Sequence, residues 1–258
     1  MIHILLGWIS GAAVAAFAPC RPSQQVKIML LGILGGLFPD LDLLWAPPDA
    51  RIPWSGLAEL GRQAGFHAYW IPQASPMHSL TGGLLATVLL ALLLCVVYTS
   101  VLRHAPSYGS ALRYLMPYIV AFGLGYVIHV LADLCVPAGP AGGFRLLYPL
   151  EIRTGGWGWT WWWNNYDLIL ILAGVLIISL LVLVFAPWFS RTRRFLPMTV
   201  FGMGLLLCVI QMNRRPLDFN DPDFSLREST SLDLQRELLG EPVYEWMRRM
   251  DRALPVEI

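Results

Sequence analysis

Residues 167–189 read DLILILAGVLIISLLVLVFAPWF. From Leu168 to Ala186 no residue is charged, and Ser179 is the one polar side chain. A bilayer core needs about 20 apolar residues in a helix, so this stretch is predicted to cross a membrane. The rest of the chain agrees. Of its 258 residues, 56% are hydrophobic and 14% charged, and the mean hydropathy is +0.57. A soluble domain carries about 25% charged residues. The fold expected is all-α: a polytopic membrane helix bundle of five to six spans with a short helical C-terminal tail.

Working outward from that segment, hydropathy places six candidate spans near residues 2–18, 28–45, 78–102, 114–136, 168–190 and 196–212. Pro39 and two aspartates interrupt the second after about 12 apolar residues, which suits a short, tilted or re-entrant helix. The N-terminus lacks a basic segment and is expected to be a retained helix rather than a cleaved signal. Connections 19–27, 103–113 and 191–195 carry Arg21, Lys27, Arg103, Arg113, Arg191, Arg193 and Arg194 and no acidic residue. The positive-inside rule puts them in the cytoplasm, so the N-terminus, 46–77, 137–167 and the tail face outward. Arg214 and Arg215 count against this orientation. Cys20, Cys95, Cys135 and Cys208 are scattered, with no paired spacing, and say little about redox compartment. A net charge of +1 offers no nucleic-acid footprint.

Two divisions are expected: a transmembrane metal-site domain, 1–212, and a polar amphipathic tail, 213–258. The tail has ten acidic and seven basic residues. Thr230 and Asp233 are spaced to cap a short helix near 231–239. A second helix would begin at Pro242, with Val243, Met247, Met250 and Leu254 on one stripe. Packing on the membrane domain is the ordinary role for such a pair; binding a protein partner is the alternative. The Trp-rich segment 155–166 reads as an interfacial aromatic belt, or as a groove for a lipid head or isoprenoid chain.

The polar residues of the spans carry the chemistry. His3 opens the first span, Asp40 and Asp42 close the second, and His78 opens the third. His129 and Asp133 lie toward the end of the fourth. With alternating crossings all six share one face of the membrane, and the i, i+4 spacing of His129 and Asp133 stacks them on one side of a helix. Carboxylates cost roughly 2.5–3.5 kcal/mol each at a helix centre on insertion scales. A bound cation would neutralise them. Mixed imidazole and carboxylate donors favour Zn²⁺, with Mn²⁺ or Mg²⁺ as alternatives, and six ligands suffice for one or two ions.

The combination of His3, PDLD (39–42), MHS (77–79), GYVIHVLADL (125–134) and GGFRLLYPL (142–150) resembles the YdjM-like membrane-bound metal-dependent hydrolases, also described as LexA-binding inner-membrane hydrolases. The resemblance spans roughly residues 1–185. It implies a bacterial inner-membrane protein and a metal set of His3, Asp40, Asp42, His78, His129 and Asp133. It also implies Arg145 as an anion contact. The order of ligands is similar, more loosely, to zinc-dependent phospholipase C. One departure stands out. Where the family shows H-R-G-x-T-H-S, this chain has Gln73-Ala-Ser-Pro-Met-His-Ser79, without the first histidine and the arginine. His67, six residues upstream, is a candidate replacement ligand.

The leading expectation is a metal-dependent hydrolase acting on a phosphoester or related bond of a membrane lipid or lipid-linked substrate. Asp42 or Asp133 would be its general base, and Arg145 or Arg153 would hold a phosphate. Two other classes compete. An ion or proton transporter would also place Asp and His in a membrane, but these line one face rather than a path. A non-catalytic scaffold with a structural metal is the third.

Overall fold

The structure is a computed structural model describing residues 1–18, 21–41, 75–101, 104, 106–138, 142–161, 165–185, 195–215 and 224–253. Among these there are eight α-helices and no strand. They are α1 (Ile2–Phe17), α2 (Pro22–Leu37), α3 (Leu80–Val96), α4 (Tyr108–Asp133), α5 (Tyr166–Phe185), α6 (Leu196–Arg214), α7 (Phe224–Leu239) and α8 (Glu241–Ala253). Four are long and apolar enough to cross a membrane: α3 with the π-helical turn Val97–Val101 that extends it, α4, α5 and α6. The segments expected at 2–18 and 28–45 form helices of 16 residues each, about 24 Å long by the helical rise.

α2 starts and stops earlier than hydropathy suggested, and Lys27 falls inside it rather than in a loop. Pro22 fits its first turn, and the Arg21 N–H donates to Gln24 Oε1 at 2.8 Å. Phe38 keeps helical backbone angles (φ −62°, ψ −39°), but Pro39 has no N–H to continue the ladder, and the chain tightens into a 3-10 turn after Leu37. Its outer face, Val26, Leu30 and Leu34, is exposed apolar surface. The same holds for Leu85, Leu89, Leu92 and Val96 on α3. Apolar side chains turned outward at helical spacing are what contact with lipid selects.

Glycines bring α1, α2 and α4 together. A Cβ at Gly7 would lie 2.5 Å from the Gly32 carbonyl oxygen, and one at Gly11 would lie 2.6 Å from Met29 Cα. Gly125 of α4 likewise meets the Gly32 carbonyl, and Gly35 meets that of Phe122. Lipid tails are as apolar as leucine, so close backbone approach supplies the association energy that hydrophobic exclusion cannot.

On the far side of α1, the core of Leu6, Ile9, Leu168, Leu172, Val175 and Phe201 joins it to α5 and α6. The segment 142–161 folds back over the end of α4. Phe144 and Thr154 exchange backbone hydrogen bonds at 2.9 and 3.0 Å, and Trp159 N–H donates to the Cys135 carbonyl at 2.8 Å. Glycines at 142, 143, 155, 156 and 158 have positive φ, which only glycine adopts readily.

The tail packs on the N-terminal end of α5. Tyr166, Tyr244 and Met247 form a buried cluster, and the Tyr166 hydroxyl donates to Asp251 Oδ2 at 2.9 Å. α7 begins at Phe224, well before the short helix expected at 231–239, so Thr230 is an interior residue and not a cap. The buried side of α8 is Tyr244 and Met247; Val243 and Met250 are exposed, and Leu254 lies outside the described residues.

Candidate metal centre

Each side chain of the site sits at a helix end held by local chemistry. His3 is in the first turn of α1. Asp40 lies in the turn after α2. His78 closes the 3-10 turn Pro76–His78 and is followed by Ser79, whose Oγ accepts the Gly82 N–H at 2.9 Å and caps α3. The same hydroxyl donates to the Pro76 carbonyl at 2.6 Å, and the Tyr126 hydroxyl donates to the Met77 carbonyl. His78 is therefore fixed by a cap and by a neighbouring helix. His129 and Asp133 are on the last turns of α4.

These five residues converge. Asp133 reaches His129 Nε2 at 3.1 Å and His78 Nε2 at 3.5 Å through Oδ2, and His3 Nε2 at 3.3 Å through Oδ1. Asp40 reaches His78 Nε2 and His129 Nε2, each at 3.6 Å, through Oδ1, and His3 Nδ1 at 3.6 Å through Oδ2. Donors about 2.0–2.1 Å from a tetrahedral zinc lie about 3.3 Å apart, so the imidazole–carboxylate spacings match one coordination polyhedron. Two triads have donor atoms mutually within 4.8 Å: His3, His129 and Asp133, and Asp40, His78 and His129.

One polar arrangement bears directly on the fit of a cation. His129 Nδ1 lies 2.6 Å from the Gly36 carbonyl oxygen. A carbonyl only accepts, so Nδ1 carries the proton and Nε2 of the neutral ring presents a lone pair. That lone pair faces Asp133 Oδ2, and both atoms are buried without a hydrogen-bond partner among the described residues. Two acceptors so placed repel unless a positive centre lies between them. An outer-shell hydrogen bond that orients a ligand imidazole is the usual support of a metal site. The residues present fit a divalent cation.

The two sides of the cluster differ in exposure. His78, His129 and Asp133 side chains are 1%, 0% and 5% exposed, whereas His3 and Asp40 are 26% and 29% exposed. The site is closed from within the helices and open at one edge.

Asp42 and His67 lie outside the described residues. The Arg145 guanidinium instead pairs with Glu151 at 3.1 Å and lies over the Tyr148 ring, although its backbone is next to the site: the Leu80 N–H donates to the Leu146 carbonyl at 2.9 Å. Arg153 donates to the Gly143 carbonyl at 3.0 Å. Sequence reasoning missed the Gly36 carbonyl and Tyr126, because a backbone acceptor has no residue-type signal and a buried tyrosine resembles core. It also missed a second polar centre. Asp167 is buried and accepts from Arg215 Nε at 3.1 Å, from Arg215 Nη2 and from Gln211 at 2.8 Å, while Arg215 Nη1 donates to Asn165 at 2.8 Å. An acid opening one span and an arginine closing the next were its signal.

The convergence of these helix ends is matched by a family comparison: the model of the YdjM inner membrane protein family covers residues 1–217. The chain belongs to the YdjM inner membrane protein family. With its four apolar spans, this YdjM-family chain is an integral protein of the inner membrane. The match ends next to Arg215 and leaves α7 and α8 beyond it. No curated protein and no solved structure gives a significant match.

Proposed function

We propose that the chain is a membrane-embedded hydrolase using one divalent cation, most simply zinc, on a phosphoester or related bond of a lipid or lipid-linked substrate. The observation that carries this reading is the buried, unpartnered pair His129 Nε2 and Asp133 Oδ2, with Gly36 fixing the tautomer. The half-exposed edge formed by His3 and Asp40 favours a catalytic site over a structural one, since structural zinc sites are closed and catalytic ones keep an open position.

When bound, a divalent cation supplies Lewis-acid chemistry, lowering the pKa of water and polarising the bond under attack. His78 and His129 are the rigid donors, held by the Ser79 cap and by Gly36. Asp133 spans both sides of the cluster: Oδ2, beside His78 and His129, would help hold the cation, and Oδ1 would take the proton of the attacking water and pass it to His3 at 3.3 Å. Asp42 is the alternative base. Arg145 would hold the anionic part of the substrate after leaving Glu151, and that exchange is cheap because Glu151 is 76% exposed and surface ion pairs contribute about 0–1 kcal/mol.

Elemental analysis of detergent-purified protein, paired with hydrolysis of phospholipids and lipid-linked phosphoesters in vesicles, tests the reading. The expected result is about one divalent ion per chain, lost in His129→Ala and Asp133→Ala together with activity. Metal-free wild-type protein, prepared without chelators, would overturn the proposal. Protein that holds metal but cleaves no lipid would leave the scaffold reading standing.

A further inference from the structure

His3 has a second surroundings besides the donor cluster. It lines a cavity of about 250 Å³ between α1, α4, α5 and α6. The walls are almost wholly apolar, built from Leu6, Ile128, Leu168, Leu172, Leu205 and Cys208, while the polar lining residues Thr160 and Asn165 lie at the end that His3 shares. Along α6 the lining runs from Leu205 to Met212, seven residues, which is about 10 Å of helix. One leaflet of a bilayer core is about 15 Å deep. The cavity therefore runs from the membrane face carrying the cluster through much of one leaflet.

Its wall is also open sideways. Leu131 of α4 and Val209 of α6 line the cavity, and both are exposed, by 40% and 42%. In a bilayer the exposed sides of these two residues border hydrocarbon, so a lipid chain is what can reach the cavity from there.

We infer that this cavity holds one acyl chain of a membrane phospholipid, placing the lipid's head and glycerol linkage at the half-exposed edge of His3 and Asp40. The inference rests on the hydrolase reading for what happens at that edge, and it adds the class of substrate: a diacyl phospholipid drawn laterally from its own leaflet. A cavity confined to one leaflet suits an acyl chain better than a long polyprenyl chain. Nothing lining it but the imidazole of His3 can carry charge at neutral pH, so recognition inside is by shape and apolar contact, and the head is read outside it.

The test uses full-length protein in phosphatidylethanolamine–phosphatidylglycerol vesicles that contain a phospholipid with a photoactivatable diazirine in one acyl chain. After irradiation, adducts are mapped to single residues, and metal content is measured on the same samples. The expected adducts fall on Leu205 and Cys208 inside the cavity as well as on Leu206 and Leu207, which face lipid. Leu172→Trp or Ala132→Phe, which fill the cavity, should remove the inner adducts and leave the outer ones and the metal unchanged. Adducts confined to Leu206 and Leu207 in wild-type protein would overturn the inference without any variant. Suppression of the inner adducts by a polyprenyl phosphate, but not by added phospholipid, would overturn it in favour of an isoprenoid chain. Inner adducts on metal-free wild-type protein would instead sink the hydrolase reading and leave the cavity's occupant established.

Discussion

Asp167 and Asp133 are both buried carboxylates at the same face of the helix bundle, yet only Asp167 is met by an arginine. Arg215 grips Asp167 from the end of α6, and the side chains facing Asp133 are the imidazoles of His3, His78 and His129. One acid is neutralised within the chain; the other is left for the cation proposed above. The difference separates structural from functional polarity here, and it removes Arg215 from the cationic loop residues that count against the orientation.

The Asp167–Arg215 pair should behave as a structural ion pair. Arg215→Ala leaves Asp167 buried and unpaired, a change that costs about 3–5 kcal/mol in buried pairs. The double variant Asp167→Asn, Arg215→Met should recover much of that loss. Thermal unfolding in detergent measures both, and bound metal should stay at the wild-type level in the double variant. Coupled loss of metal would instead tie this pair to the site.

Gly36 should matter in two ways. A Cβ there would lie 2.5 Å from the His3 carbonyl oxygen, forcing α1 and α2 apart, and any shift of its own carbonyl releases His129 Nδ1. Overpacking of this kind costs about 1–3 kcal/mol, a drop of roughly 2–12 °C in midpoint for a chain of this size. Gly36→Ala is expected to show that drop together with weakened metal binding. Gly174→Ala is the control, because nothing lies within 4 Å of its Cβ position and the change should be neutral or slightly stabilising.

Metal stoichiometry should be one per chain. The two donor triads share His129, whose Nδ1 is committed to Gly36, so its Nε2 can hold one ion. His67→Ala is expected to keep that ion, while His78→Ala should lose most of it. Titration of chelated protein with zinc would distinguish a second ion, lost in His67→Ala or Asp42→Ala. Binding should also weaken on acidification, because the ligands must be deprotonated and protons compete with the cation.

Orientation is open to chemical labelling. With native cysteines replaced, Ile152→Cys on the site face should react with a membrane-impermeant maleimide from outside the cell. Gly109→Cys, at the start of α4 on the opposite face, should not. The reverse pattern would turn the donor cluster toward the cytoplasm and change the available lipids to those of the inner leaflet.

Much was legible in residue types alone. Composition and the run after Asp167 determined a helical membrane protein, because a bilayer admits few other structures for apolar chain of that length. The parity of the crossings put His3, Asp40, His78, His129 and Asp133 at one depth, since an odd number of spans reverses the face and an even number restores it. The extent of the helices was less legible. Capping at Arg21 and the proline at 39 moved α2, and α7 ran past Thr230, because local hydrogen bonds and tertiary packing override hydropathy at element ends. Only the tertiary structure decided which atoms face one another. Helix ends that share a depth can still lie far apart in the plane of the membrane; here glycine contacts among α1, α2 and α4 close that distance. The Gly36 carbonyl at His129 and the sharing of Asp40 and Asp133 between three imidazoles follow from that approach, the apolar cavity behind His3 from the packing of α5 and α6 on α1, and no pattern in one dimension encodes them.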